Sequence, residues 1–145
     1  MKTNGGFLVT KIKQLGDRIF ERILAEKNID AFNGAQGRIL YVLWQEDGVP
    51  IKIISEKSGL AITSLTTMLE RMEKNGLIRR KTDEADKRKT LLFLTDKAKE
   101  FKEAYDSVSN EMGNIYYRDF TDKEILQFEE YLNRIRVNLE EWSDK

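Results

Sequence analysis

Apolar residues recur every three or four positions through much of this chain, the spacing that places them on one face of an α-helix. The first stripe predicts an amphipathic helix that follows a loose segment at residues 1–6, ends near Lys27 and is lined by Leu8, Ile12, Leu15, Ile19 and Ile23. Asn33 and Gln36 have the spacing of a capping box. They predict a second helix that ends near Asp47, before Pro50, and buries Ile39, Leu40, Leu43 and Trp44.

The middle of the chain has the pattern of a helix-turn-helix. A short predicted helix at residues 51–58 is followed by a tight turn at residues 59–61, which begins with glycine, and by a second helix at residues 62–75. The apolar face of this second helix consists of Ile62, Leu65, Leu69 and Met72. Two short strands at residues 77–81 and 90–94 then flank a loop of eight residues without glycine or proline, which predicts a hairpin with a projecting loop.

Polar side chains on the second of these helices and on the hairpin indicate a nucleic-acid contact. Four of the five residues from Thr63 to Thr67 carry hydroxyl groups, although Ser and Thr are mediocre helix formers. Hydroxyls contact phosphates or base edges, and threonine methyl groups pack against thymine methyl groups in the major groove. Three adjacent cations in the hairpin loop fit a DNA backbone and minor groove. The candidate DNA contacts are Thr63, Ser64, Thr66, Thr67, Arg71, Arg79, Lys87, Arg88 and Lys89.

Two further apolar stripes follow the hairpin, each stepping by three and four residues in alternation. The first predicts one long helix that begins at Thr95 or Asp96 and is lined by Ala98, Phe101, Tyr105, Val108, Met112 and Ile115. The second predicts a last helix capped by Thr121 or Asp122 and lined by Ile125, Phe128, Leu132, Ile135, Leu139 and Trp142. The helix-turn-helix with its hairpin, a winged motif, is too small to cover three amphipathic helices. We therefore expect a twofold dimer, and a self-contained monomeric bundle is the alternative.

The composition excludes several classes of site. The chain has 145 residues, of which 40% are hydrophobic and 34% charged, as is typical of a single soluble, helix-rich domain. It contains no cysteine and no histidine, which excludes disulfides, thiol chemistry and the commonest metal ligand. No apolar run has the length of a membrane span or of a signal peptide, so a cytoplasmic protein without a membrane partner is expected.

The formal net charge is zero, but the charges are unevenly distributed. Residues 71–89 hold eight basic and four acidic residues, whereas residues 96–145 hold 13 acidic and eight basic ones. A basic middle is the pattern of a surface that meets phosphates, although a solvated charged surface and a winged-helix module that binds protein without binding DNA stay open. An enzyme is not expected, because no nucleophile–base pair, glycine-rich phosphate loop or metal-ligand spacing occurs.

Three segments together resemble the multiple antibiotic resistance regulator (MarR) family. The hairpin has Asp86, Arg88, Leu92, Leu94 and Thr95 at the spacing of that family's DxRxxxLxLT signature. Residues 66–80, TTMLERMEKNGLIRR, resemble the family's recognition helix and first wing strand, and residues 33–40, NGAQGRIL, resemble the start of its second helix. The resemblance covers about the whole chain in order and spacing.

The resemblance implies a mainly α-helical (α+β) winged helix-turn-helix with a small β-hairpin wing and dimerisation helices at both ends. Within a single MarR-type domain at residues 1–145, residues 33–98 would bind DNA and residues 7–32 and 99–145 would form the dimer. The protein would be a homodimeric transcriptional regulator, in most cases a repressor, on a pseudo-palindromic operator. The residues expected in the dimer contact are Ile12, Leu15, Ile19, Ile125, Phe128, Leu132, Ile135 and Leu139.

Individual roles follow from the same resemblance. Arg88 would enter the minor groove, Asp86 would hold it and shape the wing, and residues 63–67 with Arg71 would read the major groove. Many family members release DNA when a small aromatic or anionic ligand binds, and others when a cysteine is oxidised or a metal binds. Since this chain has neither Cys nor His, the resemblance implies that an effector, if there is one, is a small molecule of unknown identity, and it implies no metal or resident cofactor. Gly37 stands where a bulkier residue is expected, so an unusual pocket is expected beside it.

Overall fold

The computed structural model describes residues 1–145 and contains seven helices and a three-stranded antiparallel sheet. The helices are α1 (Gly5–Glu26), α2 (Gly34–Gln45), α3 (Ile51–Ser58), α4 (Ile62–Lys74), α5 (Asp96–Lys99), α6 (Lys102–Tyr116) and α7 (Asp122–Ser143). The strands are β1 (Val49–Pro50), β2 (Ile78–Thr82) and β3 (Thr90–Leu94). The chain divides into two compact units, residues 1–110 and 111–145. The prediction of a mainly helical fold with a winged helix-turn-helix is confirmed.

The core of the first unit is built from α2, the helix-turn-helix and the sheet, with Val108 of α6. Its largest fully buried side chains are Ile39, Leu40, Leu43, Ile54, Leu65, Leu69, Met72, Leu77, Ile78, Leu92 and Val108. Burial of each such side chain contributes roughly 1.5–3 kcal/mol, so this cluster fixes the position of α4. Helix α2 begins with the predicted capping box, in which the Asn33 side chain accepts the Gln36 N–H and the Gln36 side chain accepts the Asn33 N–H.

Helix α1 is fastened to the first turn of α2 by two carboxylates one helical turn apart. Glu21 accepts a hydrogen bond from the backbone N–H of Gly34 at 2.6 Å, and Asp17 pairs with Arg38 at 2.9 Å. The start of α1 lies two residues earlier than predicted, at Gly5, since the helix continues through the glycines before the apolar stripe. No helix in the molecule combines the length and the apolarity that crossing a membrane requires.

Glycines in the left-handed backbone conformation close both helices of the helix-turn-helix. Gly59 follows α3 with φ of 75°, and Gly76 follows α4 after Asn75 with φ of 76°, a region that L side chains rarely adopt. The predicted apolar face of α4 is correct for Leu65, Leu69 and Met72. It is wrong for Ile62, which is 48% exposed because it is the first residue of the helix and projects beyond the core.

The sheet has one more strand than the predicted hairpin. β2 pairs with β3 along its length, and β1 pairs with the other edge of β3 through Val49 and Leu92. The side chain of Asp47 strengthens this edge by accepting the N–H of Leu94 at 2.8 Å. A strand of two residues that includes a proline carries no alternating pattern, and it forms only because β3 offers it an edge.

The prediction of a single long helix after the hairpin is wrong, because the helix is interrupted. Thr95 caps the helix as predicted, but α5 ends at Lys99 and α6 starts at Lys102. Between them the N–H groups of Glu100 and Phe101 bond to carbonyls three residues earlier, which tightens the chain into a turn. The Phe101 ring then packs 6.3 Å from the Phe32 ring, a contact that spacing alone did not predict.

The second unit consists of the end of α6, the connection after it and α7. A capping box between Thr121 and Glu124 opens α7, which confirms the predicted cap. The hydroxyl of Tyr117 donates to Glu129 at 2.7 Å; burial, together with this bond, raises the pKa of Tyr117 to about 12. None of the residues of α7 is buried, and its apolar stripe is exposed or half-buried.

Candidate nucleic-acid interface

The exposed face of α4 carries the hydroxyl-rich side chains that the sequence singled out. Leu65 and Leu69 point into the core, and with 3.6 residues per turn Thr63, Thr67 and Lys74 lie close to the opposite side of the helix. Ser64 and Arg71 lie on one flank of that line and Thr66 lies on the other. The candidates on α4, which are Thr63, Ser64, Thr66, Thr67 and Arg71, are all exposed, and the fold brings them onto one accessible surface.

The hydroxyl groups on this face are not equivalent. Thr66 donates its hydroxyl proton to the carbonyl of Ile62 one turn earlier, at 3.1 Å. Thr63, Ser64 and Thr67 make no side-chain hydrogen bond within the chain, so their hydroxyls can donate to an external partner. Helix α4 also has no side-chain cap, because Ala61 holds the N-cap position. Its first N–H groups are therefore available to a phosphate oxygen.

The wing loop projects Arg88 and holds it at its base. The Arg88 side chain is 91% exposed, and its guanidinium contacts the Asp86 carboxylate through Nε at 3.1 Å and through a terminal nitrogen at 3.4 Å. Asp86 also accepts the backbone N–H of Arg88 at 3.1 Å. The guanidinium first and this backbone bond second hold the pKa of Asp86 below its usual value. Because that pKa is lowered, the contribution of the pair is complete above the usual pKa of an aspartate and is lost as the pH falls through the lowered pKa of Asp86.

The remaining cations of the hairpin are exposed as well. Lys87 and Lys89 are exposed in the loop, which is closed by backbone bonds from Asp83 to Lys89 and from Lys89 to Asp86. Arg79 is exposed on β2, and its guanidinium lies 5.5 Å from the centre of the Phe93 ring. The structure thus places Arg79, Lys87, Arg88 and Lys89 on the same hairpin.

Two contacts that sequence reasoning missed fix α4 relative to the wing. The hydroxyl of Thr95, at the end of β3, donates to the carbonyl of Gly76 at 2.6 Å, although the sequence predicted only its capping role. Glu73 near the end of α4 pairs with Arg80 on β2 at 3.4 Å. Both join residues that are distant in sequence or on different elements, so no local spacing reveals them.

An aromatic cluster within the first unit is formed by side chains of α1, α2, α6 and the connection between α1 and α2. The Tyr105 ring lies 5.4–6.1 Å, centre to centre, from four other rings, those of Phe20, Phe32, Tyr41 and Trp44. Burial raises the pKa of the Tyr105 hydroxyl above its usual value. The indole Nε1 of Trp44 is buried and has no hydrogen-bond partner. Such an unpaired donor costs about 1–3 kcal/mol, which a ligand with an acceptor would recover.

Gly37 accounts for the close packing of this cluster. A Cβ at this position would lie 2.9 Å from a ring carbon of Tyr105 and 3.3 Å from one of Phe32. The space that a bulkier residue would take is therefore filled by these two rings.

Comparisons with known proteins agree with this geometry. Residues 32–90 match the sequence model of the MarR family. The HTH-type transcriptional regulator TtmR of Methylorubrum extorquens is 36% identical over 77 residues, which is 53% of this chain and 40% of that protein. The organic hydroperoxide resistance transcriptional regulator of Bacillus subtilis is 41% identical over 64 residues, 44% of each chain. The chain thus matches less than half the length of either relative.

The fold extends the similarity beyond the matched segment. The crystal structure of a mutant MarR from E. coli in complex with operator DNA superposes with a TM-score of 0.80 at 22% identity, covering 90% of this chain and 91% of that one. The structure of the transcriptional regulator SlyA gives a TM-score of 0.84 at 22% identity, covering 97% and 98%. Residues 32–90 therefore carry a segment that matches the MarR family, within a chain whose fold is that of the MarR winged-helix structures.

Proposed function

We propose that this protein is a DNA-binding transcriptional regulator, acting as a repressor that occupies its operator. The observation that carries the proposal is the exposed hydroxyl face of α4 beside a wing that projects Lys87, Arg88 and Lys89. The relatives named as transcriptional regulators, and the similar fold that binds operator DNA, support it.

The arrangement fits the two grooves of one duplex. The second helix of a helix-turn-helix enters the major groove and contacts base edges, mainly through its N-terminal residues, which here are residues 62–67. An arginine at the tip of a wing fits the narrower minor groove, where the negative potential is enhanced. Arg88 is preset for this role, because Asp86 restricts its guanidinium without burying it.

A dimer is part of the proposal. The exposed part of the α7 stripe, at Ile135, Leu139 and Trp142, and the exposed Leu8, Ile12 and Leu15 of α1 are apolar surfaces without a cover in the chain. We propose that residues 7–32 and 99–145 pair two copies, so that two regions at residues 33–98 meet half-sites about one helical turn apart, or about 34–36 Å. The operator would then be an inverted repeat, and the protein would act in the cytoplasm, where the DNA is.

The competing interpretation is a winged-helix module that binds protein and not DNA. Protein interfaces are enriched in aromatic residues at their centre. Helix α4 has none, and its outward face consists of hydroxyls and charges. The relatives described above are named as regulators and not as enzymes, so we assign no catalytic role to this surface.

Selection of bound duplexes from a random pool tests the function directly. We expect the purified protein at low salt to enrich an inverted repeat whose half-sites lie about one helical turn apart. A direct repeat or a single half-site would contradict the dimer, and an unchanged pool would contradict DNA binding. Repeating the selection with protein that has been unfolded and refolded removes any co-purified effector, so that a ligand-bound, inactive preparation is recognised.

We also propose that a small aromatic or anionic molecule releases the protein from DNA by binding at the aromatic cluster. The buried indole N–H of Trp44 would donate to a carboxylate or carbonyl of the ligand, and Tyr105 would move to admit its ring. Because Tyr105 and Phe32 fill the space beside Gly37, the cluster must open for binding, which couples ligand binding to a rearrangement between α2 and α6.

Tryptophan fluorescence tests this effector proposal. The chain has two tryptophans, Trp44 and Trp142, so Trp142→Phe leaves Trp44 as the only reporter. We expect benzoate or a hydroxylated benzoate to change Trp44 emission saturably and to weaken operator binding over the same concentrations. Trp44→Phe, which retains Trp142, is the control and should show no saturable change. If none of a panel of aromatic acids alters the emission of the Trp142→Phe variant, the cluster is not the effector site for this class.

A further inference from the structure

We infer that Thr67 is the residue of α4 that selects a thymine in each operator half-site, whereas the adjacent Thr66 selects no base. The inference rests on the proposed DNA-binding function and assigns one base-reading contact within it. Both residues are exposed threonines on the same helix, so their composition does not distinguish them. Their positions and their hydrogen bonds do.

The first distinction is direction. Thr67 lies on the line of α4 that is opposite the buried Leu65 and Leu69, where a helix in the major groove comes closest to the base edges. Thr66 is rotated by about 100° from it, towards the flank of Glu73, whose carboxylate pairs with Arg80. A residue on that flank faces the wall of the groove and not its floor.

The second distinction is the hydroxyl proton. Thr66 donates its proton to the carbonyl of Ile62 at 3.1 Å, a bond within the helix that must break before this hydroxyl can donate to a base acceptor such as thymine O4. The hydroxyl of Thr67 has no partner in the chain and remains free to donate. Thr63 is on the same line as Thr67, but it is the second residue of an uncapped helix, beside free N–H groups that favour a phosphate.

The chemistry of the side chain indicates thymine. In the major groove, thymine presents the O4 acceptor next to the C5-methyl group. Threonine carries a donor and a methyl group on one carbon, so it can satisfy both features of this base at once. Cytosine offers a donor and no methyl group, adenine an acceptor and a donor, and guanine two acceptors. Thymine is the only base that offers an acceptor together with a methyl group.

The test removes the methyl group of the threonine and the methyl group of the thymine, singly and together, and compares the resulting affinities. Affinities are measured for the wild type, Thr67→Ser and Thr67→Val, on the selected operator and on duplexes in which each thymine in turn is replaced by deoxyuridine, which lacks only the methyl group. At one position per half-site we expect deoxyuridine to weaken the wild type about fourfold, the cost of about one buried methylene. Because Thr67→Ser removes the side-chain methyl group from both protomers, it should lose about this factor at each half-site on thymine and show no further loss on deoxyuridine.

Thr66→Ser and Thr66→Val are the matched controls, and both should retain the deoxyuridine effect of the wild type. The inference is overturned if Thr67→Ser keeps the full deoxyuridine effect at every position, or if the effect disappears in Thr66→Ser instead. A wild type that enriches no duplex overturns the proposed function itself. A wild type that enriches an inverted repeat without the predicted thymine coupling overturns the assignment of Thr67 alone.

Discussion

Replacing Arg88 with alanine is expected to weaken binding to the selected operator by about 1–3 kcal/mol, which is roughly a fivefold to 150-fold loss of affinity. The side chain is 91% exposed, so the substitution removes no packing from the folded protein. It removes an exposed charge that is held by two hydrogen bonds to Asp86. The loss should therefore appear in DNA binding and not in stability.

Fluorescence anisotropy at several salt concentrations measures this effect and its origin. A pure phosphate contact would lower the magnitude of the slope of log affinity against log salt by about 1 for each protomer, uniformly across DNA sequences. A minor-groove contact would add a loss that depends on the sequence at the wing position. Arg118→Ala is the control, since Arg118 is also exposed beside an aspartate, Asp119, but lies in the connection between α6 and α7. Equal affinity of Arg88→Ala and the wild type would remove the wing from the interface.

The elements that were predicted well are those whose ends are marked by local chemistry. Helix α3 was predicted at residues 51–58, where it is observed, because a proline precedes it and a glycine in the left-handed conformation ends it. The starts of α2 and α7 were predicted from capping residues whose hydrogen bonds span only three positions. In each case the physical cause lies within one turn of the boundary, so the sequence alone contains it.

The features that were missed depend on residues far apart in the chain. Strand β1 exists because β3 offers an edge, and the break between α5 and α6 allows Phe101 to meet Phe32. At the proposed DNA-binding face, the residue types alone name the candidates on α4 and the wing, which stay predictions. The residue types do not reveal that the Thr66 hydroxyl donates to Ile62 or that the Thr95 hydroxyl donates to Gly76. Both hydrogen bonds are set by side-chain torsions and by the folded backbone.

An aspartate in place of Ile135 on α7 is expected to have the largest effect of all. Ile135 is 49% exposed in the single chain, so the substitution does little harm to the protomer. In the proposed dimer, however, the twofold axis brings two such carboxylates into one apolar seam, where desolvation and like-charge repulsion oppose association. A protomer that binds one half-site alone lacks the effective concentration gained by linking two sites. Operator affinity should fall by about 10²–10⁴-fold.

Val137→Asp is the matched control, because Val137 is also β-branched and 37% exposed but lies on the opposite side of α7 from the stripe. Sedimentation velocity should give a monomer for Ile135→Asp and a dimer for Val137→Asp and the wild type. Anisotropy should give near-wild-type operator affinity for Val137→Asp only. If Ile135→Asp still sediments as a dimer, α7 does not form the seam through this stripe. If it is monomeric and yet keeps wild-type affinity, the operator is recognised by one protomer, and an inverted repeat is not required.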